Sequence, residues 1–237
     1  SSILFFSLEM SSEQLATRIL SEQAKISSSD IRKGNLSEND LDNLVSVSKD
    51  ILEIPLYIDD TPAINVGSIS SRARKLKRKH GLGAIVIDYL QLVRPSKSSR
   101  NETRVLEISD ITQSLKALAK ELNIPIIALS QLSRQVEQRD DKKPQLSDLR
   151  ESGSIEQDSD VVMFIFREEY YLEKNEPALG TSDYIEWQQK MEEIHGQADL
   201  LIAKQRHGPT GNIKLSFERK YTRFGNFISK SESDSYE

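Results

Sequence analysis

The sequence predicts an α/β domain: a mostly parallel sheet sandwiched between helix layers, closed by an antiparallel hairpin near the C-terminus. Three observations carry this. Runs that are apolar at successive positions recur along the chain: AIVIDYL (84–90), IPIIALS (124–130), VVMFIF (161–166) and ADLLIA (198–203). Strands covered on both faces, as parallel strands are, read this way. Amphipathic helical stretches alternate with strands, the order that builds layered α/β domains. Late in the chain GPTG (208–211) leads into NIKLSFE (212–218), a hairpin turn and an edge strand.

Each element has a local cause. ILFFSL (3–8) is a short buried strand. Ser11 and Gln14 have capping-box spacing and open a helix through residue 24, with Leu15, Ala16, Ile19 and Leu20 on one stripe. After SSSD (27–30), Ser37 with Asp40 opens a second helix with the stripe Leu41, Leu44, Val45, Ile51 and Leu52. Pro55 ends that helix, and PLYIDD (55–60) is a strand. Val66, Ile69, Ala73 and Leu76 share one helical face until GLG (81–83) stops it. A polar loop (94–104) precedes a long helix with Ile108, Ile111, Leu115, Leu118 and Leu122 inward, ended by Asn123. Residues 167–197 break the pattern. They are polar, rich in Glu and hold the only tryptophan, Trp187, so they read as a partly helical insertion in a domain spanning 1–227. The tail 228–237 reads as disordered.

Composition narrows the chemistry. The chain has 237 residues and no cysteine, which excludes disulfides, thiol catalysis and Cys-based zinc sites and makes the cytoplasm its natural compartment. Its three histidines are scattered without metal-ligand spacing. No apolar run has the length of a membrane span, so no membrane partner is expected. A net charge of −5 argues against indiscriminate nucleic-acid binding but leaves room for a local basic surface.

Ligands of open α/β sheets sit at the carboxyl ends of the strands. There the chain delivers Glu9, Asp88, Ser130 with Gln131, and Lys204 with Arg206. An apolar run ending in Asp, as in AIVID, suits Mg²⁺ beside a nucleoside triphosphate, because a hard cation takes carboxylate oxygen and keeps waters. Asp88 could instead solubilise a strand end or cap the next segment. Glu9 could deprotonate an attacking water, or be an ordinary exposed glutamate. Gln131 could sense a terminal phosphate, although a polar residue after a strand is commonplace. Lys204 and Arg206 alternate, so both should leave the strand on one side and could meet phosphate charge, or could protect a solvated edge. RARKLKRKH (72–80) keeps its apolar stripe, and its charges read as a solvated helix exterior. The loop residues Arg94, Lys97, Arg100 and Arg104 could reach a nucleic-acid backbone or simply be solvated. In LRESGSIEQDSD (149–160), Arg150 and Gly153 could bring a cation and exposed amides to phosphates.

Taken in order, SLEMSSEQLATR, AIVIDYLQLV, IPIIALSQLSRQVEQR, DLRESGSIEQDSDVVMFIFR and IAKQRHGPTGNIKLSF resemble the C-terminal motor domain of the DnaB family of bacterial replicative helicases. The resemblance covers nearly the whole chain apart from 167–197 and the tail. It implies a RecA-like three-layer domain, ATP and Mg²⁺ as cofactors, a homo-hexameric ring in the intact protein, and single-stranded DNA, primase and a helicase loader as partners. By resemblance Glu9 activates water, Asp88 is the Walker B aspartate, Gln131 contacts the terminal phosphate, and Lys204 and Arg206 reach the neighbouring subunit's site. Arg150, Glu151 and Gly153 fall in the DNA-holding loop, and Arg18 matches an arginine of the first helix. The family's P-loop, GxxxxGK[ST], has no counterpart in the 237 residues. The chain is therefore expected to be the distal part of a helicase, inactive alone. A non-catalytic assembly module and another RecA-like ATPase are the alternatives.

Overall fold

The computed structural model describes residues 1–95, 103–149 and 153–227. The chain divides into two compact units, residues 1–133 with 147–159 and residues 134–146 with 160 onward. Each has its own four-stranded sheet.

In the first unit the sheet order is β2 (Leu56–Asp59), β1 (Ser2–Ser7), β3 (Leu82–Asp88), β4 (Ile126–Ala128). All three pairings are parallel. The helices are α1 (Ser12–Ala24), α2 (Ser28–Lys33), α3 (Glu38–Glu53), α4 (Val66–His80), α5 (Arg104–Leu122) and α6 (Gly153–Asp158). Both expected capping boxes form, Ser11 with Gln14 and Ser37 with Asp40. Asn123 takes the left-handed conformation that ends α5, with φ 47°. The core lies on one face of the sheet. Leu4, Phe6, Ile85 and Ile87 are buried there, together with Val66, Ile69 and Ala73 of α4 and Ile108, Ile111, Leu115 and Leu118 of α5.

The basic run on α4 is tied down locally. Arg72 pairs with Asp59, Arg74 makes two bonds of 2.7 and 2.8 Å to the Glu121 carboxylate, and Lys77 donates to the Leu122 carbonyl. Arg94 joins Ile64 and Val66 through backbone bonds. The expected inward stripe of α3 is corrected: Leu41, Val45 and Leu52 are exposed. The helix packs chiefly on α1, a narrower footprint than a five-residue stripe needs. A further short helix, α2, forms at the SSSD stretch.

The second unit holds β5 (Val161–Phe166), α7 (Glu168–Lys174), α8 (Ser182–Ile194), β6 (Gln197–Gln205), β7 (Gly211–Glu218) and β8 (Arg223–Asn226). Its strands run in sequence order and every pairing is antiparallel. The antiparallel part is thus a four-stranded meander, larger than the single hairpin the turn at 208–211 announces. The 161–166 run is not buried on both faces. Val162, Phe164 and Phe166 are buried, whereas Val161, Met163 and Ile165 are exposed. β5 is the edge of its sheet, as β4 is of the other, and Ile127 on β4 is likewise exposed. Residues 167–197 are partly helical, as expected. The Trp187 indole N–H donates to the Leu172 carbonyl at 2.9 Å, pinning α8 to α7. The tail reading, 228–237, falls outside the described residues.

Asp199 on β6 is a buried carboxylate with partners on β7. It accepts from Asn212 Nδ2 at 3.0 Å and pairs with Lys214 Nζ at 2.9 Å. Burial pushes its carboxyl up, but the bonds from Lys214 and Asn212 outweigh burial and hold it below the ordinary 3.8. A carboxyl lowered in the folded state stabilises above its unfolded pKa, and that contribution is lost as pH falls through the folded value. Asp199→Asn should therefore cost roughly 2 kcal/mol at pH 7. The difference from wild type should shrink below about pH 4. Urea unfolding at both pH values checks this, and a gap that widens in acid would refute it.

Candidate functional site

The carboxyl ends of β1, β3 and β4 converge at one edge of the first sheet. Ser7 lies in register with Asp88, and the Leu8 N–H donates to the Asp88 carbonyl at 2.9 Å. Glu9 follows on a tight turn fixed by the Ser7 hydroxyl, which donates to the Met10 carbonyl at 2.7 Å. The turn feeds directly into the capping box of α1. Asp60, at the end of β2, completes the support by accepting from the Ser12 N–H at 2.8 Å. That backbone bond, with the Ser12 hydroxyl, holds the Asp60 carboxyl below its ordinary range. Asp60 escaped the sequence reading. The doubled aspartate ending LYIDD was its signal, since the end of one parallel strand lies beside the helix that follows its neighbour.

Burial raises the Asp88 carboxyl above its usual value, the negative charge of Glu9 raises it further, and Arg18 on α1 opposes both. The charges of Glu9 and Arg18 thus both act on Asp88. The Asp88–Tyr89 peptide bond is cis. Gln131 follows β4, whose Leu129 exchanges backbone bonds of 2.9 Å with Ile87 and Leu90 on either side of Asp88. Gln131 is exposed at the same edge.

Among the described residues no group of three or more His, Cys, Asp or Glu could cage a metal ion. The donor set fits Mg²⁺ nonetheless. This cation is usually held by one or two carboxylates plus phosphate oxygens and water. A divalent charge beside Asp88 would also relieve the repulsion from Glu9.

Lys204 and Arg206 lie in the second unit. Lys204 is half-buried within β6 opposite Val162. The strand ends at Gln205, so the alternation argument does not extend to Arg206. Instead the Arg206 N–H donates to the Asp160 carbonyl at 2.8 Å, and its guanidinium meets the Asp160 carboxylate at 3.1 Å. Arg150 and Glu151 lie outside the described residues, as do Lys97 and Arg100. Gly153 opens α6 and is exposed. Asp158 at the other end of α6 accepts from the Thr112 hydroxyl at 2.6 Å, which fastens that helix to α5.

The model of the DnaB-like helicase C terminal domain family matches residues 1–226. The replicative DNA helicase DnaB of Rickettsia typhi is 57% identical over 230 residues, covering 97% of this chain and 46% of that protein. The chain spans about half the length of the curated relatives it matches. A solved structure of a DnaB-like replicative helicase and its interactions with primase superposes with a TM-score of 0.83 at 35% identity, covering 96% of this chain and 51% of that one. A second solved structure, of an ATPase domain, superposes with a TM-score of 0.82 at 35% identity, covering 96% of this chain and 75% of that one. With all five motifs falling inside the matched residues, the chain belongs to the DnaB-like helicase C-terminal domain family.

Proposed function

We propose that this chain is the motor part of a replicative helicase that couples ATP hydrolysis to movement along single-stranded DNA and to duplex unwinding. The observation that carries the reading is the clustering of Glu9, Asp88 and Arg18 at the carboxyl edge of a parallel sheet, with Gln131 at the same edge. Glu9, exposed beside Asp88, is the base that takes a proton from the attacking water. Asp88 would hold Mg²⁺, which when bound neutralises charge on the triphosphate. Gln131 contacts the terminal phosphate. Lys204 and Arg206 serve the site of a neighbouring subunit in a homo-hexameric ring. Primase and a helicase loader are partners of the intact protein by resemblance, and the cytoplasm is its compartment. Among the described residues no helix is long and apolar enough to cross a membrane.

For the 237 residues by themselves a second reading has its own support. No GxxxxGK[ST] cradle occurs in them. Backbone amides and the lysine of that loop provide much of the grip on the phosphates. The chain alone is then a module for assembly, without turnover.

DNA holding is assigned to Arg150, Glu151 and Gly153. In the full-length protein Arg150→Ala should weaken single-stranded DNA binding while leaving DNA-independent ATP hydrolysis largely intact. Each lost phosphate contact should reduce the slope of log K against log salt by roughly 0.7 on single strands. Titration of a fluorescent oligonucleotide at several salt concentrations measures this, and an unchanged slope would remove Arg150 from the DNA path.

A further inference from the structure

The peptide of Gln131 is held by a side chain and not by the sheet. The last backbone rung between the third and fourth strands is the bond from the Leu90 N–H to the Leu129 carbonyl at 2.9 Å. Beyond it the chain after Asp88 coils into a short 3-10 turn, Leu90–Leu92, and offers no further strand. Gln91, inside that turn, fills the gap. Its Oε1 accepts from the Gln131 N–H at 3.2 Å. Its Nε2 donates to the Ser130 hydroxyl at 3.0 Å and, more weakly, to the Gln131 carbonyl at 3.4 Å. A primary amide carries a donor and an acceptor side by side, as a peptide group does. One side chain therefore engages both backbone groups of one residue, as the next rung of a ladder would. The turn bearing Gln91 is itself braced: Arg104 donates to the Gln91 carbonyl at 2.5 Å and to Glu107 Oε2 at 2.7 Å.

We propose that Gln91 is a positioning residue that fixes the Gln131 backbone relative to Asp88, and so aims the Gln131 side chain at the terminal phosphate. This rests on the reading of Gln131 given above. Glutamine is required at this place because only a group that both donates and accepts can close the bracket. A carboxylate of the same length would lose both donated bonds and repel the Gln131 carbonyl.

The test uses the full-length protein and DNA-stimulated ATP hydrolysis. Gln91→Glu, and Gln91→Met as a near-isosteric variant without hydrogen bonds, should lower kcat by roughly 10–100-fold, since a misplacement of about 1 Å can cost 10²-fold. KM for ATP and the melting temperature should stay near wild type, a split that general loosening of the fold would not give. Exchange of the Gln131 amide, followed by mass spectrometry, should quicken in both variants. In a Gln131→Ala background, adding Gln91→Glu should cost little more, because residues acting through one another are not additive. If both Gln91 variants keep wild-type kcat while Gln131→Ala is impaired, the proposal is wrong and the reading of Gln131 stands. A full additional loss in the Gln131→Ala background would also overturn it. If Gln131→Ala itself turns over normally, the reading of Gln131 falls and takes the proposal with it. Should Gln91→Glu fail to fold, Gln91→Met decides.

Discussion

If Arg206 serves a neighbouring subunit's site as proposed, replacing it with alanine in the full-length protein is expected to cut ATP turnover by about 10³–10⁵-fold, the range for removing a cationic finger from a phosphoryl-transfer site. The substitution is mild for the fold. Arg206 holds its place through its backbone N–H to the Asp160 carbonyl, which alanine keeps. The side-chain pair with Asp160 joins two groups that are 51% and 56% exposed, and such pairs contribute only about 0–1 kcal/mol. The guanidinium is therefore available to a phosphate that offers more charge. Glu9→Gln should be nearly inactive too, by losing the base within its own site. Mixing the two inactive proteins discriminates between action within and between subunits. Where a Glu9→Gln subunit lends its intact Arg206 to an Arg206→Ala neighbour, that neighbour's site is whole again and hydrolysis should partly return. Subunit exchange is verified by energy transfer between labelled subunits. Exchange without recovery would mean either that the assembly needs all its sites intact at once or that Arg206 acts in its own subunit, and full activity in a monomeric wild-type protein would rule out action between subunits outright. The 237-residue chain alone is the baseline and should be inactive. Turnover there that Glu9→Gln abolishes would show a phosphate cradle to be dispensable.

The parts of this molecule legible in the sequence are those fixed by local chemistry. Ser11 and Ser37 announce their helices through side chains three residues on, and Asn123 ends α5 because its short amide tolerates the left-handed conformation. The parallel sheet of the first unit followed from apolar runs alternating with helices. Strand direction in the second unit was not legible. VVMFIF is apolar at every position whether it is buried on both faces or, as found, on one, and periodicity carries no signal of a neighbour's direction. The site divides in the same way. Glu9 and Asp88 stand out as candidates because they end apolar runs. Asp60 and Gln91 are not, because their partners, Ser12 and Gln131, lie 48 and 40 residues away in the chain and meet them only through the register of the sheet.

Phe6→Ala is expected to destabilise the first unit by about 3–5 kcal/mol, the range for emptying a fully packed aromatic site. Phe6 is fully buried, and β1 is an inner strand, hydrogen-bonded to β2 on one side and β3 on the other. Its side chain shares a sheet face with Leu4, Ile85 and Ile87, over which the buried residues of α4 and α5 close. A strand laddered on both edges cannot shift to fill the void, so the cavity persists and the cost sits at the upper end. A typical domain has only about 5–15 kcal/mol to lose. Ile3 lies on the opposite face of the same strand and is 38% exposed, so Ile3→Ala should cost well under half as much. The pair of variants thus tests which face of β1 is the core. Urea unfolding followed by far-ultraviolet circular dichroism gives both values. Equal losses, or a Phe6→Ala loss below about 1 kcal/mol, would contradict the packing described. The effect should also reach the chemistry. β1 leads into the turn that bears Glu9, and its Ser7 stands in register with Asp88, so in the full-length protein conditions that loosen Phe6→Ala should erode turnover before the second unit unfolds. Phe6→Leu, which refills most of the volume, should recover both stability and rate.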